Sequence, residues 1–329
     1  MAALGPAALG PAALWPLEVR AQRLMGLRRV GVLLVYREGN PVALTQLAAL
    51  RDALAKLGWE ENKNFKFEYR WVGTDTGFIH SAARELIALQ PDLIIAAGSS
   101  PATASLQQQT RSIPILFVNI VDPVGQGFVA SLARPGGNIT GFVNLDTSMA
   151  GKWLELLKQI VPRVTRVIVP FNAATSPYAD LYLNYFKSAG ESLGAEIMAA
   201  ATPDMPALEA FVAAQSRDAN TGLIPVPSSF VQAHHAELAA MVMRHRLPAI
   251  SFNRTFAEAG GLASYGNDIV DNFRRSAAYV DRILTGEKPS ELPVQFPVKF
   301  ELVINLKTAK ELALEIPATL QAGADEVIE

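Results

Sequence analysis

The sequence predicts an α/β protein with two Rossmann-like lobes, each built on a parallel sheet and hinged to the other. The chain has 329 residues, and a domain commonly contains about 100 to 200, which favours two lobes. From Arg29 onward, apolar β-rich runs alternate with longer helical patterns, as in a parallel sheet that helices cover on both faces. The same order of elements starts again after the first half, which indicates a duplicated lobe.

The first half contains the repeating unit in its clearest form. Its apolar runs predict strands at residues 29–36, 65–72, 92–98 and 114–119. Leucines recur on one broad side of a predicted helix from Pro41 to Leu57, so we expect this side to pack on the sheet. Further helices are expected up to Leu89 and after Ser100.

The second half repeats this unit after the amphipathic helix AGKWLELLKQIV. We assign the apolar stripe of that helix to the core: Trp153, Leu156, Leu157 and Ile160. The runs that follow predict strands at residues 166–172, 195–201, 222–229 and 248–253. Two details recur in register. A strand ends in two serines at Ser99-Ser100 and again at Ser228-Ser229, and a proline precedes strand-ending Asn119 and Asn253 by the same spacing.

The repeat predicts where the lobes begin and end. We expect the first lobe to contain residues 28–144 plus about 266–292, and the second to contain 145–265 plus about 293–329. Residues 143–149, 263–268 and 292–297 are the expected crossings between them. Open and closed forms would interconvert by hinge motion at these crossings.

The loops at the carboxyl ends of the strands are the expected ligand crevice, as in other open parallel sheets. Four of these loops place a capping residue before a proline, which is typical of a helix start: Asn40-Pro41, Ser100-Pro101, Asp122-Pro123 and Ser176-Pro177. We expect the Ser99 and Ser100 hydroxyls and the Ala102 and Thr103 N–H groups to form a cup for an anion. The alternative is that Ser100-Pro101 only starts a helix.

Composition excludes several classes of function and favours an exported protein. The formal net charge is −2 with scattered Lys and Arg, so no nucleic-acid footprint is visible. The chain has no cysteine, which excludes disulfides and thiolate chemistry. Residues 1–21 resemble a signal peptide cut near Ala21, and a disordered cytoplasmic tail is the alternative. No later run is long enough to span a bilayer.

Enzyme interpretations find little support. The four histidines, His80, His234, His235 and His245, have no acidic partner at a metal-ligand spacing. No serine lies in a G-x-S-x-G elbow, and GGNITG at 136–141 precedes its strand rather than following one. Asp122, Asp146 and Asp268 could form an acid–base pair, but carboxylates equally cap helices or hold an ammonium group. We therefore expect neither catalysis, nor a metal, nor a cofactor.

Several longer segments carry a family resemblance: GWEENKNFKFEYRW, AAGSSPATASL, VDPVGQGFVASLARPGGNITG, GGLASYGND and LPVQFPVKFELVINLKTAKELAL. From about Arg28 to the C-terminus, the chain resembles the ABC-transporter substrate-binding proteins that include the tryptophan- and tyrosine-type binders. This resemblance implies the type I periplasmic binding protein fold and a periplasmic receptor. It also implies two lobes that close on a small ligand, and docking on a membrane permease.

The resemblance also implies where the ligand is held. The segment matching Ser99 to Thr103 would hold a ligand carboxylate, and VNIVDP would form a neighbouring wall. Aromatic amino-acid binders carry an acidic residue in the loop that matches PVPSSFV, where this chain has Ser228 and Ser229, so the ligand stays open. An amino acid, a peptide-like molecule, an organic acid and a purine-like compound all fit.

The candidates for ligand contact come from both lobes. From the first lobe we expect Tyr36, Ser99, Ser100, Thr103, Asn119 and Asp122. From the second lobe we expect Asn172, Tyr178, Ser228, Ser229 and Asn253, with Asn144 and Tyr265 near the crossings. The predicted function is a monomeric solute receptor of an ABC importer. A cytoplasmic ligand-sensing regulator and a small-molecule enzyme on the same fold are the alternatives, although the residues before Arg28 are too few for a helix-turn-helix.

Overall fold

The computed structural model describes residues 26–73, 75–215 and 220–329. Its strands are β1 (Arg28–Leu34), β2 (Phe65–Trp71), β3 (Leu93–Ala97), β4 (Ile115–Ile120), β5 (Ile139–Val143), β6 (Arg166–Phe171), β7 (Glu196–Ala201), β8 (Thr221–Leu223), β9 (Ile250–Ser251), β10 (Ala263–Asn267), β11 (Phe300–Asn305) and β12 (Glu326–Ile328). Its helices are α1 (Pro41–Lys56), α2 (Thr76–Ala88), α3 (Ser100–Gln109), α4 (Met149–Ile160), α5 (Ala179–Leu193), α6 (Met205–Gln215), α7 (Ser229–Ala233), α8 (His235–Arg244), α9 (Arg254–Glu258), α10 (Ile269–Leu284), α11 (Leu306–Glu311) and α12 (Ala318–Gly323).

The first sheet has the strand order β2-β1-β3-β4-β5, and every pairing in it is parallel. Strands β3 and β4 are buried along their whole length, as expected for central strands that helices cover on both faces. Helix α1 begins with Pro41, and the Asn40 side chain accepts hydrogen bonds from the N–H groups of Val42 and Ala43. This start was predicted from the Asn-Pro pair and is confirmed.

The second lobe has one sheet of order β7-β6-β8 and another of order β12-β11-β10-β9, linked by a bridge between Leu223 and Ala249. Strands β6, β8, β9 and β10 run parallel across this arrangement, and β11 is antiparallel to β10. The predicted strand at 222–229 is much shorter, since β8 ends at Leu223. The N–H groups of Ile224 and Val226 still bind the Ile168 and Pro170 carbonyls of β6, but Pro225 and Pro227 have no N–H for the other side of the strand, which explains the early end.

In the described residues, the hydrophobic side chains form two cores. The first core joins the first sheet to α10, which packs against α1, although the two helices are far apart in sequence. The second core joins α4 to α8 with the second lobe's sheets. The first core extends to Val294, past the predicted end of the first lobe near residue 292, because the Val294 N–H binds the Leu132 carbonyl. The predicted lobe boundaries stay a prediction.

Two further helix starts were wrongly predicted. Asp122-Pro123 opens a turn rather than a helix, and α5 begins at Ala179 instead of near Ser176-Pro177. The Asp122 Oδ1 accepts a hydrogen bond from the Gly125 N–H at 2.9 Å, so the side chain closes that turn instead. The Ser176 hydroxyl, in contrast, is buried without a hydrogen-bond partner among the described residues. A capping residue before proline thus marks a chain reversal at these two positions, not a helix.

Candidate functional site

The carboxyl ends of the strands in the two lobes face each other. On the first lobe these ends carry Tyr36, Ser99, Asn119 and Asn144, which follow or end β1, β3, β4 and β5. On the second lobe they carry Asn172, Ser228, Asn253 and Asn267, which follow or end β6, β8, β9 and β10. Each of these side chains is buried. Facing edges of this kind place polar loops on both sides of one crevice.

Tyr36 and Gln232 connect the two edges directly. The Tyr36 hydroxyl donates a hydrogen bond to Gln232 Oε1 at 3.3 Å. Gly98 lies against the same side chain, since a Cβ built on Gly98 would be 3.4 Å from Gln232 Oε1. Gln232 lies in the short helix that Ser228 caps, and Gly98 directly precedes Ser99. The loops that carry Ser99 and Ser228 therefore approach each other across the crevice.

Ser99, rather than Ser100, caps helix α3. Its Oγ accepts a hydrogen bond from the Ala102 N–H at 3.1 Å, and its carbonyl accepts bonds from the Thr103 N–H and Oγ1. The prediction that the Ala102 and Thr103 N–H groups hold an anion is therefore wrong, because both groups donate hydrogen bonds to Ser99 within the helix start. The hydroxyls of Ser99 and Ser100 remain as donors toward the crevice edge.

The Ser228 loop repeats this arrangement in the second lobe. Ser228 Oγ accepts a hydrogen bond from the Val231 N–H at 3.2 Å and caps α7. Ser228 and Ser229 are both buried. Each lobe thus has one serine-capped helix start at its edge of the crevice. This matches the sequence, in which each half contains one Ser-Ser pair.

Four asparagines lie on or beside the segments where the chain crosses between the lobes, and we call Asn119, Asn144, Asn267 and Asn272 the asparagine cluster. Asn272 contacts Asn119 directly, whereas Asn144 and Asn267 are placed here by their neighbours in sequence, Val143 and Ile269. Asn272 Nδ2 donates hydrogen bonds to Asn119 Oδ1 at 2.7 Å and to the Val143 carbonyl at 3.0 Å. Asn119 Nδ2 donates to the Ile269 carbonyl at 3.3 Å. The φ of Asn119 is 63°, a left-handed conformation that asparagine tolerates better than most residues.

The asparagine cluster contains polar atoms that the protein does not satisfy. Asn144 Oδ1, Asn272 Oδ1 and both polar atoms of Asn267 are buried and have no hydrogen-bond partner among the described residues. Buried polar groups in native proteins are nearly always hydrogen-bonded, and leaving one unpaired costs about 1 to 3 kcal/mol. These unsatisfied amide atoms, on residues at the ends of the strands and in α10, are groups that a polar ligand would complete.

Three predicted contacts use their polar atoms inside the second lobe. Asn172 Nδ2 donates to the Pro203 carbonyl at 2.7 Å, and the Tyr178 hydroxyl donates to the Pro227 carbonyl at 2.8 Å. Asn253 Oδ1 accepts a hydrogen bond from the Thr255 N–H at 3.1 Å and caps α9. These side chains therefore shape the loops around the crevice, while the phenol of Tyr178 is kept protonated by burial, which raises its pKa.

Asp122 and Tyr265 lie at the margins. Asp122 is half-buried and lines a cavity of about 180 Å³ together with Asp146 and Phe296. Tyr265 is half-buried on β10, with its ring 6.2 Å from that of Phe300. Its carbonyl accepts a hydrogen bond from Trp153 Nε1 at 2.6 Å. Trp153 is completely buried, which confirms that it belongs to the core.

The site also contains residues that sequence reasoning missed: Gln232, Asn267 and Asn272. Gln232 lies one helical turn after Ser228, so the helical period could have placed it on the same edge. Asn267 stands in the segment GGLASYGND, which served only to mark the family resemblance. Asn272 lies within the amphipathic helix α10, and no local signal indicates that its amide faces Asn119.

The crevice is electrically neutral at its buried centre. Across the described part of the chain, the buried polar side chains are hydroxyls and amides, with no Asp, Glu, Lys or Arg among them. Asp268 is the nearest carboxylate to Asn267 in sequence, but it caps α10 and accepts a hydrogen bond from Lys299 at 2.9 Å. Burial alone would raise the pKa of Asp268, yet Lys299 and the N–H groups of Asp271 and Val270 hold it below its ordinary value.

A larger cavity opens beside Tyr36 and has walls from both lobes. Its volume is about 520 Å³, and its aromatic walls are Tyr36, Trp71 and Phe78, with His234 opposite. Burial raises the pKa of Tyr36 to about 12, so the hydroxyl remains a donor throughout the neutral pH range. Tyr36 therefore borders this cavity and also contacts Gln232 at the crevice edge.

In residues 26–73, 75–215 and 220–329, no three His, Asp or Glu side chains lie close enough to hold a metal ion. The same residues contain no helix with the length and apolar character of a membrane span.

Comparison with known proteins identifies the family. A sequence model of the family described as ABC transporter substrate binding protein matches residues 36–328. The chain belongs to this family. The predicted family resemblance is therefore confirmed.

Individual family relatives and solved structures agree with this assignment. The tyrosine-binding protein of Clostridioides difficile is 24% identical over 267 residues, which is 80% of this chain and 75% of that protein. A conserved domain protein from Vibrio cholerae is 26% identical with a TM-score of 0.85, over 92% of this chain and 100% of that chain. An ABC domain from Streptococcus pneumonia in complex with L-Trp is 24% identical with a TM-score of 0.83, over 92% and 100%. These likenesses confirm the predicted α/β fold of the type I periplasmic binding proteins.

For this substrate-binding protein, we predict that Tyr36→Phe shifts the lobes toward an open form. The change removes the only hydroxyl of that side chain, and a buried hydrogen bond is worth about 0.5 to 1.5 kcal/mol. The closed-to-open ratio should therefore fall about two- to tenfold. Small-angle X-ray scattering of the ligand-free protein checks this as a larger radius of gyration.

Tyr178→Phe is the matched control, since its hydroxyl binds the Pro227 carbonyl within the second lobe. It removes the same atom from a buried tyrosine but leaves the contact between the lobes intact. Equal radii of gyration for the two variants would contradict a role of Tyr36 in closure.

Proposed function

We propose that this protein is the exported receptor of an ABC importer. It encloses a small polar or carboxylate-bearing ligand, an amino acid or a related compound, between its two lobes. The observation that carries the proposal is the pair of facing strand edges that Tyr36 and Gln232 connect, with buried serines on both sides. Family membership supports it, and so do two similar proteins, a tyrosine-binding protein and an ABC domain in complex with L-Trp.

Closure is the proposed mechanism of binding. The first lobe contributes the hydroxyls of Ser99 and Ser100, and the second contributes Ser228 and Ser229. A ligand that contacts both sets binds the closed form more tightly than the open form, and this difference in affinity drives the hinge motion. The mechanism includes no bond-making step, and the family is one of substrate-binding proteins rather than enzymes.

Location and partners are also part of the proposal. We place the receptor in the periplasm, as a monomer that docks on a membrane permease. The predicted signal peptide at residues 1–21 lies outside the described residues. N-terminal sequencing of the exported protein tests this, because a mature chain that begins at Gln22 would establish cleavage after Ala21, whereas an intact Met1 in the cytoplasm would favour a regulator.

A thermal-shift screen tests the ligand class. The panel contains amino acids, small peptides, organic acids and purines, and each compound is followed by scattering to detect closure. A ligand at about 100 times its dissociation constant stabilises the fold by roughly 2.7 kcal/mol, which is readily measured. Mass spectrometry of the same wells separates a receptor from an enzyme, since a receptor leaves the compound unchanged.

Ser100→Ala is expected to weaken binding of a carboxylate-bearing hit by about 1 kcal/mol, which is about fivefold. Ser100 is the informative serine because Ser99 also caps α3, so its replacement would change stability as well. Isothermal titration calorimetry measures the dissociation constant. Ser112→Ala, at an exposed position, is the control. Unchanged affinity in Ser100→Ala would remove this hydroxyl from the binding site.

A further inference from the structure

We propose that the asparagine cluster binds an uncharged amide group of the ligand. On this view, which rests on the proposed function, the natural ligand is a carboxylate whose nitrogen is acylated, such as an N-acyl amino acid or a lactam acid. A free amino acid is the compound that the cluster disfavours. The inference names the chemical class that the crevice selects.

The position of the cluster makes it part of the crevice. Asn119 ends β4 and Asn144 follows β5 on the first edge, while Asn267 ends β10 on the second edge. Asn272 joins these parts, because its Nδ2 bonds Asn119 and the carbonyl of Val143, the neighbour of Asn144. Asn119 in turn bonds the carbonyl of Ile269, close in sequence to Asn267. The unsatisfied amide atoms are therefore held by both lobes where the chain crosses.

Asn267 sets the geometry of recognition. Both its Oδ1 and its Nδ2 are buried and lack a partner among the described residues, and the side chain is 6% exposed. A carboxamide presents a donor and an acceptor side by side in one plane, so it pairs at two points with a group that carries an adjacent C=O and N–H. A lactam has that edge, because its C=O and N–H lie on the same side, whereas the C=O and N–H of a trans acylated nitrogen point in opposite directions and pair with one group each. An ammonium group has donors only.

Charge argues in the same direction. A buried ammonium needs a carboxylate or a comparable anion to offset its desolvation. The described buried residues supply no carboxylate. The three carboxylates considered from the sequence already have partners. Asp268 binds Lys299 and caps α10, and Asp122 accepts a hydrogen bond within its own turn. Asp146 is exposed and accepts a hydrogen bond from the Ser148 N–H. An uncharged N–H, in contrast, is satisfied by Asn144 Oδ1 or Asn272 Oδ1 without a counter-ion.

Matched ligand pairs test the inference by titration calorimetry on the full chain. The pairs are N-acetyl-L-tryptophan with L-tryptophan, N-acetyl-L-tyrosine with L-tyrosine, and L-pyroglutamate with L-glutamate. In each pair the α-carboxylate and the amino-acid carbon skeleton are retained and the nitrogen changes from ammonium to amide, although in L-pyroglutamate the side-chain carboxylate of L-glutamate also becomes the lactam carbonyl. We expect at least one acylated compound to bind at least tenfold more tightly than its free amino acid.

Asn267 variants test whether the cluster makes the distinction. Asn267→Ala should weaken binding of L-pyroglutamate about 10- to 100-fold, since two hydrogen bonds are lost, and binding of an N-acetyl amino acid by a smaller factor, since only one is lost. Asn267→Asp keeps an acceptor, loses the donor and adds a negative charge, so the preference should move toward the free amino acid. Asn184→Asp is the matched control, because it makes the same change on the exposed side of α5. Urea unfolding of each variant verifies that the protein is folded before titration.

The outcomes separate this inference from the proposed function. If a free amino acid binds wild-type protein as tightly as its acylated partner, the inference is overturned while the receptor proposal gains support. If folded Asn267→Ala and Asn267→Asp keep wild-type affinities and preference, the cluster is not the binding element and the inference is again overturned. If no compound of the wider screen binds or closes the lobes, the proposed function fails as well.

Discussion

Trp153→Ala should lower the free energy of unfolding by about 4 kcal/mol, the largest effect that we expect from a single substitution. Trp153 is completely buried, and its ring packs 5.9 Å from Tyr182 and 6.3 Å from Phe186, measured between ring centroids. Removing it leaves a cavity that α4 and α5 cannot close, because both helices are anchored elsewhere in the second core. The midpoint of urea unfolding measures the loss.

Trp153 also connects the core to the ligand site. Its Nε1 donates a hydrogen bond to the Tyr265 carbonyl on β10, the strand that ends in Asn267. Trp153→Phe keeps most of the ring volume but removes this donor and part of the indole ring, so a smaller loss of about 1 to 2 kcal/mol is expected. Leu181→Ala, at a side chain 41% exposed, is the control and should change stability by about 0.5 kcal/mol or less. A loss for Trp153→Ala no larger than this control would refute the assigned packing.

Gly266→Ala should cost about 3 kcal/mol, at the upper end of the usual range for overpacking. A Cβ on Gly266 would lie 1.8 Å from the Phe252 carbonyl oxygen, and a backbone atom cannot rotate out of the way. The two strands would have to separate, and they carry Asn253 and Asn267 at their ends. Ligand affinity should therefore fall together with the urea midpoint.

Gly137→Ala provides the matched control for this substitution. Among the described residues, nothing lies within 4 Å of a Cβ built on Gly137, so the same methyl group enters open space. We expect its free energy of unfolding to stay within about 0.5 kcal/mol of the wild-type value. If Gly266→Ala is equally harmless, the close approach of β10 to the Phe252 carbonyl is not a constraint on the fold.

Much of the fold could be predicted because it depends on local pattern. The alternation of apolar runs and helical spacing located most of the strands, and the buried stripe that includes Trp153 was recognised from its period. The strand at 222–229 was overextended because its apolar character outweighed Pro225 and Pro227 in the interpretation. Hydrophobicity predicts burial, but only the backbone N–H groups determine whether a buried segment joins a ladder.

The site was less accessible to sequence reasoning, for a physical reason. Ser99 could be predicted because helix capping depends on residues close in sequence. The same reasoning wrongly assigned the Ala102 and Thr103 N–H groups to a ligand, because both groups form hydrogen bonds within the helix start. Asn172 and Tyr178 are polar residues at strand ends whose partners, the Pro203 and Pro227 carbonyls, come from other loops. Such long-range partners decide which polar atoms stay free, and a single sequence does not display them.

The packing of α10 on α1 determines when the first lobe can complete its core during synthesis. The apolar side of α1 is covered by a helix that is made only when the ribosome has passed Leu284. The segment that leaves the ribosome first therefore cannot complete its hydrophobic core until that helix has been synthesised. Residues 145–265 of the second lobe are thus synthesised before the first core can be completed, so the two lobes cannot fold strictly one after the other.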